Sequence, residues 1–261
     1  MTVSVVSPTA TLRSGPGEWW RSFSAMLRWQ LASMRLVLPV MVMVQLLTAS
    51  GISVGLSIFF DDIDPRRALY LGSGASIVSL ILVGLVVAPQ LVAAEKEAGT
   101  YEYTWSLPVP RSAAAGAWVV VSAIVSLPAM VLGLFVAAWR LGLDYELDWS
   151  ILPAVALVVV CGTLIGYAFA HAIENTNLTQ ILTQILAFGI FGFTPITYPL
   201  ENLPQWMGSI HQVLPFYHMG VIVRAGLTDG LVSGVARSYA IVLIWAVASA
   251  LVTAAHLGRR R

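Results

Sequence analysis

The sequence predicts an all-α membrane protein of six transmembrane helices, with an N-terminal interfacial helix and a broken external helical segment between spans five and six. Three observations lead to this fold. Of 261 residues, 58% are hydrophobic and 10% charged, with a mean hydropathy of +0.82; a soluble domain carries about 25% charge, and a globular chain this poor in charge would expose large apolar patches. The apolar residues gather into runs at 36–60, 68–94, 113–139, 150–170, 178–199 and 238–257, each able to cross about 30 Å of hydrocarbon as a helix. The runs are continuous rather than alternating, and isolated apolar strands would strand their backbone polar groups in lipid.

Taken in chain order, residues 1–17 form a polar tail with no pattern of a cleavable signal peptide. Residues 18–35 read as an amphipathic helix. Trp20, Phe23, Leu27, Leu31 and Met34 recur at helical spacing, and Arg21, Arg28 and Arg35 recur every seven residues beside them. Such a helix either lies flat at a bilayer interface, the favoured reading, or extends the first span. The six-helix domain occupies 36–257 and a basic tail 258–261. Pro39, Pro89, Pro128 and Pro153 fall inside spans, where kinks and neighbouring helices accommodate them. The stretch 200–226 is apolar but interrupted by Pro204 and Pro215 and carries Glu201, His211, His218 and Arg224, so it is too broken to span. It is expected to dip part-way into the outer face as short helices, with His211 and His218 anchoring it at the interface beside Trp206 and Tyr217.

Orientation follows from the basic residues. With the N-terminus inside, nine of the 14 lysines and arginines are cytoplasmic; the other five, Arg66, Arg67, Arg140, Arg224 and Arg237, lie outside among acidic loops. Both termini are therefore expected in the cytoplasm. Cys161 stands alone, which excludes a disulfide framework or a thiolate metal cluster. The spans carry polar residues but almost no charge. Gln45, Thr48 and Ser50 lie in the first, Thr183, Gln184 and Thr194 in the fifth, and Ser73, Ser76 and Ser79 share one face of the second. Apolar spans argue against a proton-coupled carrier, which wants Asp, Glu or His inside the bilayer. An intramembrane enzyme is disfavoured as well, since no carboxylate pair, Ser/His pair or metal-ligand set assembles from the runs.

The chemistry concentrates between the second and third spans. Glu95, Lys96, Glu97 and Glu102 fall within eight residues; Glu95 and Glu102, seven apart, would share a helical face. Gly99 allows a break, and Pro108 and Pro110 end any helix before the next span. Composition alone leaves two readings open: a short charged helical element held between two membrane helices, or a solvated turn.

The run Glu95-Lys96-Glu97, then Gly99-Thr100, Glu102, Pro108 and Arg111, resembles the first cytoplasmic loop of the ABC-2-type export permeases, differing at Tyr101, Tyr103 and Trp105, where aliphatic residues are usual. The layout of interfacial helix, six spans and Pro-broken external segment is similar too. The resemblance implies a permease of a bacterial inner membrane exporter whose loop docks as a coupling helix on a separate ATPase subunit. It further implies a second permease copy or paralogue, surrounding lipid, and an amphipathic or lipophilic cargo; it implies no nucleic acid. One inference needs only the reaction type. A nucleotide phosphate loop requires glycines before a lysine, and the single lysine here, Lys96, sits between two glutamates. No cofactor is expected in this chain, so ATP and Mg would be bound by the partner. The second cytoplasmic loop, 171–180, offers a smaller docking contact through His171, Glu174 and Asn175, or is a plain turn. His171 and Glu174 have a metal-holding spacing but no third ligand, so no metal is expected.

Overall fold

In a computed structural model, residues 15–58 and 64–258 are described, and every regular element among them is helical. The elements are α1 (Pro16–Ser33), α2 (Val37–Ile58), α3 (Pro65–Leu82), a π-helical turn (Val83–Val87), α4 (Ala88–Glu97), α5 (Thr100–Ser106), α6 (Arg111–Leu141), α7 (Ile151–Ala172), α8 (Thr176–Phe193), α9 (Gln205–His211), α10 (Pro215–Ala225) and α11 (Val235–Gly258). Six helices among the described residues are long and apolar enough to cross a membrane, and the second of them runs unbroken from Pro65 to Glu97. This is a multi-pass membrane protein. We call the end that holds α1 and α5 proximal, and the end that holds the 142–150 and 194–234 segments distal.

The second span is the axis of the molecule. Ile77, Val78, Leu80, Ile81 and Leu85 are all buried; α2, α6, α7 and α10 pack against this span, and α11 lies against α7 and α10. Its π-turn has an identifiable cause. Pro89 cannot donate to the carbonyl four residues back and its ring crowds that carbonyl, so the helix widens just before it. The widened turn presents the Gly84 backbone to Gly162 and Gly166 of α7, where a Cβ at any of the three positions has a backbone neighbour within 4 Å. Small residues four apart allow such a close approach between membrane helices. The serines of α3 are more specialised than a packing stripe: Ser79 donates to Gln45 Oε1 at 3.1 Å and Ser76 packs on Gly133, while Ser73 receives a charged donor.

That donor is Arg224, which lies inside the protein rather than among external loop charges as its sequence position suggested. The side chain is 1% exposed. Its Nε donates to Ser73 Oγ at 2.9 Å, its Nη2 to the Tyr70 and Ile196 carbonyls, and its guanidinium lies 4.2 Å from the Tyr70 ring centre. Burial pulls its pKa down to about 10, so it stays charged at neutral pH. A buried cation held by neutral acceptors ties together α3, α10 and the 194–199 turn. The 200–226 segment is indeed broken into short helices, but α10 is buried on most of its faces. His211 and His218 are buried too, which corrects their assignment as interface anchors. His218 Nε2 donates to Gln212 O at 2.9 Å and its Nδ1 faces Ser238 Oγ at 2.9 Å, clasping α10 to α11.

At the proximal end α1 is a helix as expected, and Phe23, Leu27, Leu31 and Met34 of the expected stripe turn toward the protein, with Met26 and Gln30 buried beside them; only Trp20 departs, at 62% exposed. Trp19 Nε1 fixes this docking by donating to Ser112 Oγ at 2.9 Å.

Candidate functional site

The second span does not stop where the apolar run stops. Glu95, Lys96 and Glu97 occupy the last turn of α4, so the charged residues ride on the tip of a helix anchored through the whole molecule. Gly99 follows with φ 72°, the left-handed conformation that ends helices and that a side chain disfavours. The Gly99 amide donates to Lys96 O at 3.2 Å and Thr100 Oγ1 to Glu95 O at 3.2 Å, which closes the corner. Beyond it α5 sets off in a new direction. Glu95 and Glu102 therefore do not share one helical face, because the left-handed residue between them breaks the seven-residue register. Leu107 is extended, Pro108 follows, and Pro110 caps the start of α6 immediately before Arg111.

Lys96 holds this corner to the rest of the protein. Its ammonium donates to Ala170 O at 2.6 Å and to Ile173 O at 2.8 Å, the carbonyls that end α7, and lies 5.3 Å from the Tyr101 ring centre. A cation at a helix C-terminus meets both unsatisfied carbonyls and the negative end of the helix dipole. The tip of the second span is thus latched to the tip of the fourth. Tyr101 is buried against His171, whose ring lies 5.6 Å from it and 4.0 Å from Tyr167; His171 Nδ1 donates to Tyr167 O at 2.7 Å. Of the aromatic departures in this loop, Tyr101 fills the joint, whereas Tyr103 is exposed.

The structure divides the sequence-predicted residues into two groups. Glu97, Gly99, Thr100, Glu102 and Pro108 are exposed, and so are Glu174 and Asn175 in the neighbouring turn. Asn175 also caps α8 by accepting from the Leu178 amide at 3.1 Å. Glu95, Arg111 and His171 turn the other way, into a cavity of about 590 Å³ closed by α1 on one side. Gln30, Trp118 and Tyr167 line it as well, and the sequence reading passed over all three. Gln30 left a signal, since it stands seven residues after Phe23 and so on the stripe that faces the protein. No cluster of three metal-ligating side chains occurs among the described residues.

Six apolar helices, a helix-tip charge cluster latched between two spans, and an amphipathic helix packed beside them make up a multi-pass membrane protein with one charged corner. A sequence model of the ABC-2 family transporter proteins matches residues 66–255. The chain belongs to this ABC-2 family. No curated protein matches it. Membership makes it the transmembrane subunit of an ABC transporter, a transport subunit generally not catalytic itself, and implies a partnering ABC ATPase.

Proposed function

We propose that the chain is the permease of an ATP-driven exporter in a bacterial inner membrane. ATP and Mg are bound on the separate ATPase, and hydrolysis there moves an amphipathic or lipophilic cargo (drug, antibiotic or lipid) outward. The observation that supports this best is the proximal corner. Glu97 and Glu102 stand exposed on either side of Gly99, on an element linked by Lys96 to α7 and by the unbroken second span to the distal end. A push on this corner reaches both membrane faces through rigid helices. Glu97, Glu102, Thr100 and Pro108 form the principal contact with the ATPase, and Glu174 and Asn175 in the adjacent turn a smaller one. The proximal end then faces the cytoplasm with both termini, in keeping with the basic residues there. A second permease copy or paralogue fits the apolar outer faces of α2 and α8, where Leu47, Ile185 and Phe188 are more than half exposed; lipid covers what remains.

The test is Glu97→Lys in the reconstituted complex with its ATPase. Cargo-stimulated ATP hydrolysis and export fall at least tenfold while the amount of permease in the membrane is unchanged. Normal stimulated hydrolysis and export in this variant would sink the reading.

A further inference from the structure

The proximal cavity has a chemistry that docking does not use. It is roofed by α1 and floored by α4, α6 and α7, and its volume of about 590 Å³ lies within the range of small-molecule sites, about 300–1,000 Å³. Two hydrogen-bond acceptors enter it with nothing to accept. Gln30 is 3% exposed, and its Oε1 is buried with no donor among the described residues. The Glu95 carboxylate, half-buried, has neither a hydrogen bond nor an ion pair among them. Leaving a buried acceptor unmet costs about 1–3 kcal/mol, so such a pair marks a place built for a donor. Met26, Val92 and Trp118 supply an apolar wall and are almost wholly buried.

The sign of the charge can be argued. The lining holds two glutamates, Glu18 and Glu95, and two arginines, Arg21 and Arg111, so formal charge alone decides nothing. Position does. Arg21 and Glu18 are exposed and screened by water. Arg111 is half-buried like Glu95 but already has an interaction of its own, whereas the Glu95 carboxylate and the Gln30 carbonyl face the interior unmet. We propose that this cavity binds an organic ammonium ion, its N–H groups shared between Glu95 and Gln30 and its apolar body lying along Met26, Val92 and Trp118. The same chemistry is offered by a soluble amphiphilic amine and by the headgroup of an aminophospholipid.

Binding of tritiated propranolol, an aromatic secondary ammonium, to the full chain in nanodiscs of phosphatidylcholine and phosphatidylglycerol tests this. Saturable binding is expected, weakened at least tenfold by Glu95→Gln and several-fold by Gln30→Leu. A naphthalenesulfonate of similar size should not compete. Adding phosphatidylethanolamine to the nanodiscs separates the sources: displacement of the probe identifies the lipid amine as occupant, and undiminished binding identifies a soluble amine. Equal affinity of wild type and Glu95→Gln, or equal affinity for the sulfonate, overturns the proposal. If Glu95→Gln does not run as a single species on size exclusion, Ala114→Trp decides, because Ala114 lines the cavity and the indole fills it. Unchanged binding in that variant overturns the site. No ATPase is needed, so this result and the coupling result stand or fall separately.

Discussion

At the distal end the chain breaks between α8 and α11 and is packed shut; at the proximal end it breaks between α4 and α6 and encloses a cavity. Each break is held by one cation bonded to backbone carbonyls. Arg224 reaches Tyr70 and Ile196 from α10, and Lys96 reaches Ala170 and Ile173 from α4. Arg224 lies at the centre of its cluster and is 1% exposed, while Lys96 is only half-buried, at a surface beside the exposed Glu97 and Glu102. Irregular backbone beside a bilayer has to be satisfied from within the protein. The distal end does this with a planar, permanently charged fork, which suits a fixed structure. The proximal end does it with a flexible ammonium on a four-carbon stem, which leaves that corner freer to shift.

The contrast predicts different failures. Arg224→Met strands the Ile196 carbonyl and removes the guanidinium's bonds to Ser73 and Tyr70, and should cost about 3 kcal/mol or more, lowering the melting temperature by about 10 °C; Arg224→Lys should recover part of it, since an ammonium cannot fork. Detergent-solubilised thermal melting measures both, and an unchanged Arg224→Met would show that the distal end is not locked by this residue. Lys96→Met removes two charge-assisted bonds at an edge and should cost about 2 kcal/mol. Its larger effect should be functional, a loss of cargo-stimulated ATP hydrolysis out of proportion to the fall in melting temperature. If the two fall in step, Lys96 is only a brace and the contrast between the ends is lost.

The smallest expected effect is in pH. Burial holds the His218 pKa below its ordinary 6.5, and Gln212 O fixes the neutral tautomer. A group protonated more readily unfolded than folded leaves stability complete above pH 6.5 and erodes it as pH falls below that value. The melting temperature should therefore drop on acidification from pH 6.5, and His218→Asn, which takes up no proton, should flatten that slope. An equal slope in the variant would place the acid sensitivity elsewhere in the molecule.

The parts legible in the sequence follow from solvent and local geometry. Six apolar runs dictate six spans because hydrocarbon admits no unpaired backbone, and the α1 periodicity dictates a helix. Gly99 and the two prolines place the corner because their backbone preferences are local. The span ends were less legible. Hydropathy ends the second run at 94, yet the helix continues to Glu97 because α7 accepts Lys96. Arg224 read as a loop charge because no span sequence announces that Ser73 and two carbonyls will surround it. The direction in which α1 turns its Gln30 depends on what Trp19 finds at Ser112, some ninety residues away in the chain.

Alone, then, the sequence determined a charge-poor bundle of six helices and a charged corner after the second of them, whose one lysine between glutamates makes no phosphate loop. Tertiary structure decided which charges face out and which face in. Glu97 and Glu102 stand exposed, Glu95 lines a cavity, and Arg224 is sealed in the distal core. The physical reason is that burial and pairing are properties of what lies opposite a side chain, and that is set only when distant helices meet.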